Sequence, residues 1–253
     1  MAEYHQYCPV ARTSEILADR WTPLIVRELL AGSQHFNDIE RGLPGISRSL
    51  LVERLRHLED AGVVERHKGR RANVSAYVLT EAGCELQAVI DRMGAWGVRW
   101  AFGDLRPQDL DPALLLWKVH QRIDRTRVPA TRTVVEFDFR GRSGRRLWLV
   151  LEPREVSVCL RPPGFDTTIV VRADLECFYR VWLGHLDWSR ATRAGDITVE
   201  GPPALVRALP SWLLWSPMAV HVRRARATGA APSTPSPRRR VMSNATNRPL
   251  TPA

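Results

Sequence analysis

In Gly45-Ile46-Ser47-Arg48-Ser49-Leu50-Leu51-Val52-Glu53-Arg54-Leu55-Arg56-His57-Leu58-Glu59, three leucines (Leu51, Leu55 and Leu58) recur at i, i+4 and i+7. That is the spacing of one buried helix face. Ser47 stands where an N-cap belongs, after a Gly-containing turn. The other side of the helix start offers Ser47, Arg48, Ser49, Val52 and Arg56, short hydroxyls and guanidiniums with one apolar contact. Such a mix suits a DNA major groove: arginine reads guanine edges, serine is permissive, and an apolar group meets a thymine methyl. Gly62 follows, then a strand at 63–68, a tip Gly69-Arg70-Arg71-Ala72-Asn73 and a return strand at 75–79. A helix succeeded by a hairpin with two arginines at its tip reads as a recognition helix and a wing. A solvated helix beside a basic loop is the plainer alternative, and the elements on either side weigh against it.

Upstream, Cys8-Pro9 opens a helix to about residue 18, and Thr22-Pro23 reads as the N-cap and first position of a second. In that second helix Leu24, Ile25, Leu29 and Leu30 are expected to face a core. A short third helix spans 36–41 before Gly42-Leu43-Pro44-Gly45, and downstream Thr80 caps a long helix from 81 to about 102. Three helices, a turned recognition helix, a hairpin and a closing helix make a winged helix-turn-helix. The closing helix carries Leu86, Val89, Ile90, Met93, Trp96 and Trp100, more apolar surface than a small domain needs for itself. Val89, Met93, Trp96 and Trp100 are read as a dimer seam shared with the first helix; simple coverage of the domain's own core is the alternative.

Charge refines this picture. The chain has 253 residues, enough for one large or two ordinary domains, and a net charge of +10. Within residues 1–103, however, thirteen Lys/Arg balance thirteen Asp/Glu. Much of the excess lies in Arg223, Arg224, Arg226, Arg238, Arg239, Arg240 and Arg248. What bears on DNA is the local surplus of Arg48, Arg54, Arg56, Arg66, Lys68, Arg70 and Arg71 over Glu53, Glu59, Asp60 and Glu65. Four scattered cysteines (Cys8, Cys84, Cys159, Cys177) give neither a disulfide framework nor a zinc site. The first residues show no signal peptide. The most apolar stretch, 209–222, is interrupted by Ser211, Ser216 and Pro217 and is too short to span a bilayer. A soluble, cytoplasmic protein without a membrane partner is expected.

A family resemblance rests on Cys8-Pro9-Val10, Asp19-Arg20-Trp21-Thr22, Leu24-Ile25, Arg27-Glu28-Leu29, Phe36-Asn37-Asp38-Ile39, Gly45-Ile46-Ser47, Leu51, Arg54-Leu55, Leu58-Glu59, Ala61-Gly62-Val63-Val64 and Tyr77-Val78-Leu79-Thr80-Glu81-Ala82-Gly83. In this order and spacing, residues 8–102 resemble the HxlR-type winged-helix regulators. The resemblance implies a dimeric transcription regulator whose recognition helix spans 47–58. The wing departs from it, with Arg70-Arg71-Ala72-Asn73 where the family often carries prolines. Cys8 falls at the family's N-terminal cysteine, which in some members senses electrophiles or oxidants. A thiol at a helix N-terminus has its thiolate favoured by backbone amides, yet cysteine is also among the most often buried residues. Cys8 is carried forward as a candidate thiol sensor.

Beyond Asp104 the pattern changes. Asp111-Pro112 starts a helix to about residue 123. Four strands follow at 133–139, 147–151, 155–160 and 168–173, joined by Gly141-Arg142-Ser143-Gly144, Glu152-Pro153-Arg154 and Pro162-Pro163-Gly164, turns short enough for an antiparallel meander. Asp174 caps a helix bearing Phe178 and Trp182. A short helix from 188, a strand at 196–200 and a final helix with Leu205, Leu209, Trp212 and Leu213 complete an α+β layer, an antiparallel sheet backed by helices. Residues 191–213, with Gly195-Asp196-Ile197-Thr198-Val199-Glu200-Gly201, resemble the sterol-carrier-protein type of lipid-binding domain. That resemblance implies a cavity for an apolar ligand, for which Trp148, Phe178, Trp182 and Trp212 are the candidate wall. The organisation expected is a winged-helix domain for DNA binding and dimerisation at 1–103, a sterol-carrier-like domain at 104–226, and a disordered basic tail at 227–253.

These readings predict a sequence-specific transcription regulator acting as a homodimer on double-stranded DNA, with an apolar small molecule as effector in the second domain. Phosphate contacts from Arg54, Arg70 and Arg71 would position it while Arg48 and its serines read bases. The alternative is a carrier of lipid or apolar metabolite whose first domain only dimerises. No enzyme, cofactor or metal is expected. His185-x-Asp187 is a lone pair, His5-x-x-Cys8 lacks further ligands, and neither a phosphate-binding glycine loop nor a nucleophile elbow is present.

Overall fold

The computed structural model describes residues 4–68 and 75–228. Helix α1 (Pro9–Leu17) begins with Cys8 as its N-cap residue. Helix α2 (Thr22–Leu30) starts one residue before the capping pattern suggests. Thr22 is already helical, with its side chain fully buried, and Trp21 precedes it at φ +79°, so the chain turns through a left-handed residue and uses no side-chain cap. Ile25, Val26 and Leu29 enter the core, whereas Leu24, expected inside, is 39% exposed. Helices α3 (Phe36–Arg41) and α4 (Arg48–Asp60) follow. Ser47 Oγ accepts from the Leu50 amide at 3.3 Å, a cap worth about 1 kcal/mol. Strands β1 (Val64–Lys68) and β2 (Ser75–Leu79) pair antiparallel, and Thr80 Oγ1 accepts from the Gly83 amide to start α5 (Glu81–Trp100). Leu51, Leu55 and Leu58 close with Ile25, Ile39, Val63 and Tyr77 into one hydrophobic core. The wing tip with Arg70 and Arg71 lies outside the described residues.

A second core forms around α6 (Pro112–His120), β3 (Thr133–Arg140), β4 (Arg146–Leu151), β5 (Val156–Cys159), β6 (Ile169–Asp174), α7 (Leu175–Trp182), α8 (Trp188–Ala194), β7 (Ile197–Glu200) and α9 (Pro203–Trp212). The sheet order is β5-β4-β3-β6-β7. The expected antiparallel sheet is in fact mixed: β3 and β6 run parallel, with Val135 opposite Ile169 and Phe139 opposite Ala173. Parallel neighbours need a connection that returns the chain to the same end. Residues 160–168 supply it, so Pro162-Pro163-Gly164 belongs to a crossing loop and not to a hairpin. Nine extended residues reach roughly 30 Å, ample for passing from the β5 edge beyond β3. The Val134 amide donates to Thr168 Oγ1 at 3.2 Å, tying the end of the loop to the sheet.

The same alternation corrects the proposed pocket wall. In β4, Leu147, Leu149 and Leu151 face the helices, while Trp148 and Val150 face away and pack with Val134 in a separate cluster. Trp148 Nε1 donates there to Glu136 Oε2 at 3.2 Å. Phe178, Trp182 and Trp212 lie across the sheet in the helix-side core, with Phe178 edge-on to Phe137 and Phe139. The four therefore do not wall one cavity. A helix absent from the sequence reading, α10 (Ala219–Ala227), follows α9 and carries Arg223, Arg224 and Arg226. It packs back onto α5, where Met218 fills the space beside Gly94.

The two cores meet at α6. Glu28 of α2 has no solvent exposure, and its carboxylate is surrounded by donors. Arg27 Nε and Nη2 donate to Oε1 at 3.0 and 2.7 Å, Lys118 Nζ also donates to Oε1, and Gln121 Nε2 donates to Oε2 at 3.0 Å. Gln121 Nε2 also donates to Ser33 Oγ at 2.9 Å. Beside them the Arg41 guanidinium lies 5.5 Å over the Trp117 ring, which stacks on His120. Burial brings Lys118 down to about 8, against the opposing pull of Glu28. The chain has only two lysines, so selective 13C-lysine labelling gives two side-chain signals, assigned by Lys68→Arg. The Lys118 signal should titrate near pH 8; a midpoint near 10.5 would show the ammonium to be solvated. An unfolded chain keeps that proton to about 10.5, so this group alone makes folding more favourable as pH climbs between the two values.

Candidate nucleic-acid interface

The N-terminal half of α4 and the hairpin β1–β2 border an open groove of about 570 Å3. Helix α4 contributes Arg48, Ser49, Val52 and Arg56, α3 contributes Phe36, and the hairpin contributes Arg66, Ser75 and Tyr77. At 3.6 residues per turn, positions 48, 49, 52 and 56 fall within an arc of about 100°. Leu51, Leu55 and Leu58 take a neighbouring face, centred about 100° away, into the core. The leucine spacing thus fixes which residues remain for the groove.

Arg48 is the most structured of the groove cations. Its Nη1 donates to Glu40 Oε2 at 2.6 Å, its Nη2 donates to Asn37 Oδ1 at 3.4 Å, and its guanidinium lies 4.7 Å over the Phe36 ring. Even so, 64% of the side chain is exposed. A guanidinium held on one edge and open on the other can present a bidentate donor pair. Ser47 is committed to its cap, with its Oγ 3.2 Å from Ser49 Oγ. Arg66 sits opposite Tyr77 in the hairpin register, with its guanidinium 5.9 Å over that ring.

Arg54, assigned to phosphate contact from the sequence, does not join this face. Its position is about 170° around the helix from the middle of the groove arc. Its side chain is 14% exposed, with Nη1 2.8 Å from Asp19 Oδ2 and 3.2 Å from Glu53 Oε1. It fastens α4 to the α1–α2 corner. Phe36, Ser75 and Tyr77 are not in the candidate set, and Arg66 is counted from sequence only as local charge. For Arg66 and Tyr77 the cross-strand pairing was readable once the hairpin was placed, but the approach of α3 to Arg48 has no local sequence signature. Among the described residues no group of three or more His, Cys, Asp or Glu is placed to hold a metal ion. None of their helices is long and apolar enough to cross a membrane.

A short helix, a turn, a helix with an exposed Arg-Ser face, and a β-hairpin beside it define a winged helix-turn-helix protein. Residues 16–104 match the family model described as HxlR-like helix-turn-helix. YvaP of Bacillus subtilis, named an uncharacterized HTH-type transcriptional regulator, is 39% identical over 97 residues, covering 38% of this chain and 90% of YvaP. The HTH-type transcriptional regulator YodB of the same organism is 40% identical over 91 residues, covering 35% of this chain and 81% of YodB. The solved reduced form of YodB covers 39% of this chain and all of that chain, at 37% identity and a TM-score of 0.35. The chain belongs to the HxlR-like helix-turn-helix family of DNA-binding transcription regulators, which are not enzymes. Most of YvaP is thus matched by little more than a third of this chain, so the second core is an addition to what the two share.

Within such a regulator Arg54 and Arg56 should separate cleanly. Arg54→Ala is expected to lower the unfolding midpoint in urea while leaving affinity for duplex DNA unchanged. Arg56→Ala should do the reverse. Equal loss of binding in both would place Arg54 on the DNA.

Proposed function

We propose that this chain is a sequence-specific transcription regulator that binds double-stranded DNA as a homodimer, with α4 in the major groove and the β1–β2 wing beside it. The observation that carries the reading is the Arg48–Ser49–Val52–Arg56 face, which stands open to solvent beside Arg66. Arg48 and Ser49 read base edges, while Arg56 and Arg66, with Arg70 and Arg71 placed from sequence alone, meet the sugar-phosphate backbone. Two copies would read half-sites about one helical turn apart. An apolar effector is not part of this reading, since the aromatic side chains suggested for its pocket are divided between the two faces of the sheet. Cys8, partly exposed at the N-cap of α1, is its candidate thiol sensor.

The test is selection of duplexes from a random pool by the full-length chain, followed by gel shifts. The wild type should enrich a two-fold-related sequence. Arg48→Ala should relax base choice in each half-site, and Arg71→Ala should lower affinity on all duplexes and reduce the salt slope by about one. No enrichment, or an Arg48→Ala variant with unchanged base choice, overturns the reading.

The dimer rests on an apolar strip that the described residues leave exposed. Val89, Met93 and Trp96 on α5 are 39%, 50% and 63% exposed, and none is among the apolar side chains of the cores formed by the described residues. Tyr7 and Val10 at the start of α1 are more exposed still. Leu86 and Ile90, one turn away, pack into the N-terminal core, so the stripe read from the sequence divides between two tasks. Trp100 is half-buried, with Arg99 lying 4.7 Å over its ring. Trp96→Arg should convert a dimer to a monomer in sedimentation velocity with little change in the helical circular dichroism. A wild-type monomer at micromolar concentration would remove the seam.

A further inference from the structure

Helix α3 touches the reading face on one side and the second core on the other. On the reading side its Phe36, Asn37 and Glu40 hold the Arg48 guanidinium. On the other side its last residue, Arg41, lies over Trp117 of α6. The turn that leaves α3 is equally committed. Gly42 is pressed against the Glu28 carboxylate so closely that a Cβ there would collide with it. That carboxylate is held in turn by Lys118 and Gln121 of α6. Ile39, between the two ends, is fully buried. A six-residue helix fixed at both edges has little room to move at one without moving the other.

We infer that the second core positions the base-reading arginine: Trp117, Lys118 and Gln121 of α6 act as positioning residues for Arg48, through Glu28 and α3. The inference rests on the DNA-binding reading of α4 and adds a role for a part of the chain that the family match does not cover. Without the Lys118 ammonium, Glu28 retains among the described residues only the part-exposed Arg27 as a cationic partner, and a carboxylate so buried is poorly tolerated. The α2–α3 corner must then open to water or repack, and Glu40 and Asn37 shift with it. Arg48 keeps its charge and loses its orientation. The defect therefore falls on base choice and spares phosphate attraction.

The experiment uses the full-length chain, a duplex enriched by the wild type and a random duplex of equal length. Lys118→Met should reduce the enriched-to-random affinity ratio about tenfold, within the usual range of coupling between sites. Lys118→Arg should restore most of it. In an Arg48→Ala background Lys118→Met should change the ratio less than twofold, because the group it acts through is gone. Additive effects in that cycle, or equal losses on both duplexes, overturn the inference. Where Lys118→Met fails to fold by circular dichroism, Gln121→Leu, which leaves the ion pair in place, goes through the same cycle with the same expectation and the same overturning result. A wild type that enriches no duplex overturns the functional reading and this inference with it. Enrichment with an additive cycle overturns this inference alone.

Discussion

Glu28 is a carboxylate without access to water, and the arrangement of the whole molecule answers to it. Taking an ion out of solvent costs several kcal/mol unless its oxygens are met by donors. Here the donors come from two places that the chain joins only by folding: Arg27 from the same helix, and Lys118 and Gln121 from α6, some 90 residues on. The pairing has little value as net stabilisation, since a well-packed apolar contact of the same volume would do as well. Its value lies in direction. An apolar surface tolerates sliding, whereas an ammonium and an amide converging on two oxygens admit one relative placement of α2 and α6.

That placement matters because the surfaces on either side of it differ in kind. The N-terminal core is built from helices and a hairpin close together in sequence. The C-terminal sheet depends on β3 finding β6 in parallel beyond a crossing loop. Helix α10 then returns to α5, giving the second core another hold on the first. With α6 against α2–α3 and α10 against α5, the second core braces the helix-turn-helix from behind. The Arg48 face and the Val89–Met93–Trp96 strip are left exposed.

What could be read from the sequence was what local periodicity encodes. The leucines of α4, the Ser47 cap and the Thr80 cap each declare themselves within a few residues, and the structure has them. Charge without angle was misleading: Arg54 looked like its neighbours as a cation, yet its rotation around α4 carries it to Asp19. Alternation identified the strands of the sheet but not their partners, because parallel pairing of β3 and β6 depends on residues more than thirty positions apart. Trp148 was grouped with Phe178 by residue type, when the parity of β4 puts the two on opposite faces. No pattern in Arg27-Glu28-Leu29 announces a buried acid. Its burial is created by α6, so it is a property of the assembled pair of cores.

The separation of Glu28 from its partners also has a consequence for biosynthesis. A nascent chain leaves the ribosome N-terminus first, and domains generally fold as units in that order. The helix-turn-helix segment can therefore collapse while Trp117, Lys118 and Gln121 are still within the exit tunnel or not yet made. During that interval the acid faces water where α6 will later sit, and the closing of the α2–α3 corner around Glu28 waits on translation of a helix that lies wholly outside it.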